Sequence, residues 1–396
     1  MREAAILDFL VILSVSVGSM AWAAGKPDPY QRRDKPWIGP APTPVMEQVF
    51  WVQLALPPET EVRVAAPEGV KLLDKTKPGK GRTVTRLYFR ADRGIADGKI
   101  TVTPASGGDV VLPLRVLTYR EDIEDKTKEV KGLDPTARKR GRAYYTDEML
   151  ALAKANMAKH PGLVSGLKGA SFFDKMTDAD LFAFLPSWNV PRQCYGNWPC
   201  PHCGEKIYEK SAFYPWQHEA RGSFKSKCPL CGKLFPTNDI TKDDFTSGEY
   251  PDDGWGYVGE PPAGSKPAGG LFAERGKFAG WVAYHNHHSM WLFTGSEMKR
   301  LGERYLLLGD ESAAHRVAVL LARLAYIYPG MDMTWQQVDN HYLRSGRLLV
   351  DGNWERTGLL VPACQAYDAI HDYMGRDTQL VEFLKAKDPA IQSPDD

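Results

Sequence analysis

The chain carries almost no net charge, with 50 lysines and arginines against 49 aspartates and glutamates, leaving +1. Such a balance gives the whole molecule no field that would steer it onto nucleic acid or an anionic membrane. Any acidic ligand must therefore be held by a local cluster. A long apolar run is also missing after the N-terminus, because no later stretch approaches the roughly 20 apolar residues of a spanning helix. The last residues, Asp388-Pro389 and Ser393-Pro394-Asp395-Asp396, form no recognisable closing element. What is present is ordinary globular composition: 43% hydrophobic and 25% charged residues over 396 positions, enough for two or three domains with a real core. The 11 tryptophans and 17 tyrosines supply flat aromatic faces that suit sugar rings as well as protein interiors.

The N-terminus reads as a signal peptide over residues 1–24, with an apolar run from Phe9 to Val17 and a small-x-small site at Ala21-Trp22-Ala23. Arg2 is accompanied by Glu3 and Asp8, so an N-terminal anchor or a buried helix is the alternative. The expected location is secreted or periplasmic, with no membrane span in the mature chain. Residues 25–44 form a proline-rich extended lead-in. Short β-prone segments follow over residues 45–119: Gln48 to Leu56, Glu61 to Ala65, Thr83 to Phe89, Lys99 to Val102 and Val110 to Leu117. Alternation of Val84, Arg86 and Tyr88 with Thr85, Leu87 and Phe89 predicts one buried and one wet face, as in a small β-sandwich.

Residues 120–143 are dominated by charge, including Lys126, Lys128, Lys131, Arg138, Lys139, Arg140 and Arg142. A solvated linker is the plain reading and a basic patch for a polyanion the sharper one. Helical territory begins at residue 144 and runs to 396. Thr146 caps a helix whose Met149, Leu152, Ala153 and Met157 share one face, and Thr177 starts a short helix that Pro186 stops. Long helical patterns span Phe272 to Phe293, Met298 to Leu308 and, after a Gly309-Asp310 turn, Glu311 to Ile327, which makes an αα-hairpin. A further helix runs from about Trp354 to Tyr373 with Asn353 as its cap.

The sharpest signal is a duplicated knuckle, Cys200-Pro201-His202-Cys203-Gly204 and Cys228-Pro229-Leu230-Cys231-Gly232, within a ribbon over residues 194–240. Two thiolates three residues apart can share one tetrahedral ion, and the glycine lets the backbone turn so that amides point at sulfur. Four thiolates in a closed shell favour zinc in a structural role. A pair of disulfides is the alternative, but cysteines within one Cys-x-x-Cys turn make poor structural bridges. His202 is read as a bystander. Cys194 and Cys364 are left over, as a disulfide, as buried thiols, or with Cys194 paired outside the chain.

The run Asn197 to Gly204, then Ile207-Tyr208, Phe213-Tyr214-Pro215-Trp216 and Lys227 to Asp239, resembles the zinc-ribbon insertion of large exported heparinase II/III-like proteins. Asp252-Asp253-Gly254-Trp255-Gly256-Tyr257, the Leu308-Gly309-Asp310 turn and the Trp354-Glu355 to Ala366-Tyr367-Asp368 helix extend the resemblance over roughly Tyr144 to Tyr373. It implies a polysaccharide lyase, with an α/α toroid of paired helices followed by β-sheet domains. The implied chemistry is β-elimination on uronic-acid polysaccharides, in which an amide or cation stabilises the enolate-like charge while Tyr or His groups act as base and acid.

The expected fold is therefore multi-domain α+β: a β-sandwich, then incomplete toroid-like hairpins with an inserted four-cysteine ribbon. The later helices and sheets that complete the family's catalytic set have no counterpart here. The local candidates for catalysis are Tyr284, Asn286 and His287, beside His285, His288 and Trp291 on one helix. His285 and His288 would share a face, and ordinary helix packing is the plainer reading of the cluster. His341, Tyr342, Arg344 and Arg347 are candidates for binding substrate, the arginines holding a carboxylate. Trp281, Trp291, Trp335 and Trp354 would line a sugar groove or fill the core. The expected partner is an acidic polysaccharide or oligosaccharide and not nucleic acid. A non-catalytic carbohydrate-binding or scaffold protein is the alternative function.

Overall fold

The computed structural model describes residues 35–39, 43–79, 84–127, 138–185, 200–211, 215–218, 225–251, 282–328 and 352–396. Its N-terminal part is two antiparallel sheets and its C-terminal part is helical, a mixed α+β arrangement. Strands β1 (Trp37–Gly39), β2 (Val49–Leu54), β5 (Thr85–Ala91) and β4 (Val70–Lys75) form one sheet in the order β1-β2-β5-β4. Strands β3 (Val62–Ala65), β6 (Ile95–Pro104) and β7 (Val110–Val116) form the other, in the order β3-β6-β7. Phe50, Val52, Leu54, Leu87 and Phe89 of the first sheet share a buried core with Ile100, Val102, Leu114 and Val116 of the second.

The wet face expected of β5 is not there, since Thr85 to Phe89 are all buried. The second face is covered by the segment that follows the cysteine ribbon. Phe245 stacks on Tyr88 at 4.8 Å between ring centroids, and Asp74 accepts from the Phe245 amide at 2.9 Å. Arg86, in turn, lies over the Trp51 ring and donates from Nε to Gln53 Oε1 at 2.9 Å. The alternation does mark a strand, but a distant segment turns both of its faces into interior.

Part of the charged stretch is helical: α1 covers Tyr119–Thr127. Its Tyr119 hydroxyl, fully buried, donates to Glu47 Oε2 at 2.9 Å and accepts from Arg323 Nη1 at 2.8 Å. Helix α2 (Asp147–Lys159) starts at Thr146, whose side chain accepts from the Met149 amide. No residue of α2 is buried, and Met149 and Leu152 are exposed, so its apolar stripe does not face the core as its spacing implied. Helix α3 (Asp178–Phe184) opens on a capping box between Thr177 and Asp180.

The helical body is built around α4 (Val282–Leu308) and α5 (Glu311–Ile327), joined at Gly309-Asp310, with the Asp310 side chain accepting from the Ala313 amide. Where two patterns broken near Phe293 were expected, α4 runs without interruption. The helix containing Trp354 begins at Gly352, includes a π-helical turn at Arg356–Leu360, and continues as α6 (Val361–Met374). Asn353 lies inside that helix and not at its cap. Gly295 of α4 meets the π-helical turn so closely that a Cβ there would overlap the Gly358 carbonyl oxygen and come within 2.9 Å of Leu359 Cα. Only hydrogen fits between the two backbones.

The terminal residues are structured as well. Asp377 caps α7 (Thr378–Lys385), which buries Leu380, Val381 and Leu384. Beyond it, buried Asp388 accepts from Arg120 Nε at 3.1 Å and from the Tyr326 hydroxyl at 3.2 Å, while Lys387 Nζ lies 2.7 Å from Glu47 Oε1. Among the described residues, no helix is long and apolar enough to cross a membrane.

Candidate metal centre and the histidine seam beside it

Each cysteine knuckle is shaped by its backbone. Cys200 and Gly204 exchange backbone hydrogen bonds, Cys200 N to Gly204 O at 3.2 Å and Gly204 N to Cys200 O at 2.7 Å. In the second knuckle, Gly232 N donates to Cys228 O and Cys228 N to Lys233 O, both at 2.9 Å. Gly204 and Gly232 have φ of 62° and 70°, the left-handed region that side chains rarely tolerate, which explains a glycine after each pair. Short strands β8 (Gln217–His218), β9 (Ser226–Lys227) and β10 (Leu234–Phe235) pair antiparallel in the order β10-β9-β8. Trp216 and Phe235, edge to face at 5.6 Å, pack with Ile207, Cys200 and Cys228 in a small core of their own.

The four sulfurs of Cys200, Cys203, Cys228 and Cys231 all lie within 4.8 Å of one another. Across the two knuckles, Cys200 and Cys231 are 3.9 Å apart and Cys203 and Cys228 are 4.0 Å apart. A tetrahedron with metal–sulfur bonds of about 2.3 Å has an edge of about 3.8 Å, so these distances fit one shared ion. The His202 amide points at Cys200 Sγ from 3.4 Å, the kind of donor that steadies thiolate charge. Burial pushes the Cys200 thiol up, and Cys203 up to about 11. At Cys231 burial acts the same way but is outweighed by the Lys233 amide and the neighbouring thiols, which draw it down. Four such groups gathered without a cation pay both desolvation and mutual repulsion once ionised, and a divalent ion removes both penalties. His202 is exposed and 3.3 Å from Lys233 Nζ, outside the ligand set. Cys364 is a free, half-buried thiol, and Cys194 lies outside the described residues.

Of the catalytic candidates, only the side chain of Asn286 is described; those of Tyr284, His285 and His287 are not, and His341, Tyr342, Arg344 and Arg347 lie outside the described residues. Asn286 is 1% exposed, and its Oδ1 accepts from Ser226 Oγ of β9 at 3.0 Å. Because the Ser226 proton is committed to Asn286, His218 Nδ1, 2.6 Å from Ser226 Oγ, must donate to it. Burial holds His218 down at about 4, with Asn286 opposing that shift. His288 of α4 is likewise held at about 4 by burial and by the proximity of His218. Hydrogen bonds through His218, Ser226 and Asn286 thus fasten the ribbon to α4, with His288 beside them in one polar seam. Neither His218 nor Ser226 stands out in the sequence as part of it, because the Asn286 that Ser226 bonds lies 60 residues further on.

The tryptophans divide. Trp291 is fully buried in the core, whereas Trp354 is 51% exposed and holds His288 edge-on at 6.2 Å; Trp281 and Trp335 lie outside the described residues. Comparison with protein-family models, with curated proteins and with solved structures finds no match.

Proposed function

We propose that this chain is an exported, polysaccharide lyase-like protein that engages uronic-acid polysaccharides and is braced by one structural zinc ion at Cys200, Cys203, Cys228 and Cys231. The observation that carries the reading is the convergence of four sulfurs within the stretch whose sequence resembles the ribbon of heparinase II/III-like proteins. Four thiolates with no additional ligand suit zinc over harder cations, and a closed shell suits bracing over catalysis. Two sheets sharing one core support the β-sandwich reading, and α4, α5 and α6 packed against one another support the start of an α/α toroid. The N-terminal apolar run and Ala21-Trp22-Ala23 support export.

For the role itself, a binding protein without turnover is favoured over an active eliminase. Asn286, the amide that would neutralise a uronate carboxylate, is instead buried and committed to Ser226. The test is incubation of the purified chain with alginate, heparan sulfate and hyaluronan, following both binding by calorimetry and the ultraviolet absorbance of the unsaturated uronate. Binding with little or no absorbance is expected. Turnover abolished by Tyr284→Phe or His287→Gln would establish the eliminase, and failure to bind any of the three would remove the polysaccharide reading.

A further inference from the structure

The charged stretch before the helices ends in a strap, residues 138–145, that belongs to no helix or strand. Its inward contacts are specific. Asp368 of α6, 4% exposed, accepts from the amides of Ala143, Tyr144 and Tyr145 at 2.7, 2.9 and 2.9 Å, and Lys139 Nζ lies 2.6 Å from its Oδ1. Tyr145 is buried and donates its hydroxyl to Glu303 Oε1 of α4 at 3.0 Å. Arg142 sits between Asp147 at 3.2 Å and Asp372 at 3.7 Å. Lys139, Arg142 and Tyr145 therefore hold the strap down.

Three other large side chains of the strap are open to solvent, Arg138 among them although it lies near enough to Tyr367 of α6 to act on its hydroxyl. Arg138, Arg140 and Tyr144 are exposed, Tyr144 with 48% of its surface open and its ring set edge-to-face on Tyr145 at 4.9 Å. Arg140 makes no ion pair among the described residues, whereas its neighbours Lys139 and Arg142 pair with Asp368, Asp147 and Asp372. A basic segment whose backbone is fixed by three amide hydrogen bonds to one carboxylate loses little entropy when its outer guanidinium groups engage a ligand.

We propose that the outer face of this strap, Arg138, Arg140 and Tyr144, is a binding site for the carboxylates of an acidic polysaccharide. Planar guanidinium forks match carboxylate geometry, and the exposed phenol ring offers a flat face to an adjoining pyranose. Nucleic acid is the poorer fit: the chain's net charge of +1 supplies none of the general attraction that phosphate backbones exploit. The inference rests on the polysaccharide reading above and names where on the surface the glycan lies.

The experiment measures affinity of the full chain for alginate oligosaccharides by calorimetry at low salt. Variants are R138Q/R140Q, Y144A, and R63Q/K71Q as a control that removes equal charge from the sheets. Loss of about tenfold or more in R138Q/R140Q, a smaller loss in Y144A and an unchanged control are expected, with circular dichroism spectra alike in all. If the intact chain binds alginate and R138Q/R140Q binds it equally well, the strap proposal is overturned while the polysaccharide reading stands. No binding of alginate by the intact chain overturns the strap proposal, and no binding of heparan sulfate or hyaluronan either overturns the polysaccharide reading with it. Binding to duplex DNA or to phosphatidylserine vesicles but not to alginate would also overturn the proposal, reassigning the strap to another polyanion.

Discussion

His315 Nδ1 stands 2.7 Å from Asp377 Oδ2, and this contact joins the second turn of α5 to the cap of α7. On its other side, His315 Nε2 is 2.9 Å from Asp178 Oδ1 of α3, whose second oxygen accepts from Gln379 Nε2 at 3.0 Å. One imidazole, 7% exposed, thus ties three helices. Both ring nitrogens face carboxylates, which calls for the doubly protonated form.

Burial opposes that charge, but Asp377 and Asp178 outweigh it and raise the His315 pKa above its ordinary value. A raised basic group stabilises the fold fully below its free value near 6.5 and loses that contribution as pH climbs through the folded value. His315→Gln should therefore cost about 1–3 kcal/mol at mildly acidic pH and progressively less at alkaline pH. Urea unfolding of both proteins from pH 6 to 9 checks this; a constant difference across the range would refute it.

The seam histidines titrate in the opposite sense. His218 and His288 have folded values of about 4, below their free value, so their contribution is present above about 6.5 and is lost as pH falls towards 4. In His288→Gln, the fall of stability between pH 6.5 and 4.5 should be shallower by about 1.4 kcal/mol per pH unit. Because the four cysteines are the same in both proteins, the difference in urea midpoints reports on His288.

For the metal centre, elemental analysis should find about one zinc per chain, and Cys200→Ser with Cys203→Ser should lose it. Chelator treatment of the unaltered chain should lower its thermal midpoint and quench the protection of the β9 amides in hydrogen exchange. Cysteines found oxidised, with no metal, would rule out the zinc reading.

At the helix crossing, Gly295→Ala places its methyl against the Gly358 carbonyl and Leu359 Cα, both backbone, whereas Gly358→Ala meets the end of the Leu292 side chain. Backbone cannot step aside and a leucine tip can. Gly295→Ala should cost about 1–3 kcal/mol, and Gly358→Ala should cost less, as read from chemical denaturation.

Features written in local sequence were legible. The Glu311 to Ile327 helix and its Asp310 cap, the short helix after Thr177 and the paired knuckles all depend on residues within a few positions of one another. What stayed hidden depends on distance. Strand β4 carries Lys71, Asp74 and Lys75 with no clean alternation, and it is held in place by pairing with β5. Six of the nine residues of helix α1 are charged, and its buried Tyr119 finds Arg323 from 204 positions away. His315 draws its two carboxylates from 62 and 137 positions away, beyond any reading of spacing. The stripe of α2 is the reverse case, a helical pattern of which only Leu150 packs against the core while Met149 and Leu152 stay exposed.

A single buried cluster runs from Val45 and Phe50 in the sheets through Tyr119 and Phe182 to Leu320, Ile370 and Ile391 in the helices. Sheets and helices consequently have no seam along which either half could be lifted away intact. Melting should register as one cooperative event and not two, and a protein cut down to its first 127 residues would present raw hydrophobic surface and precipitate.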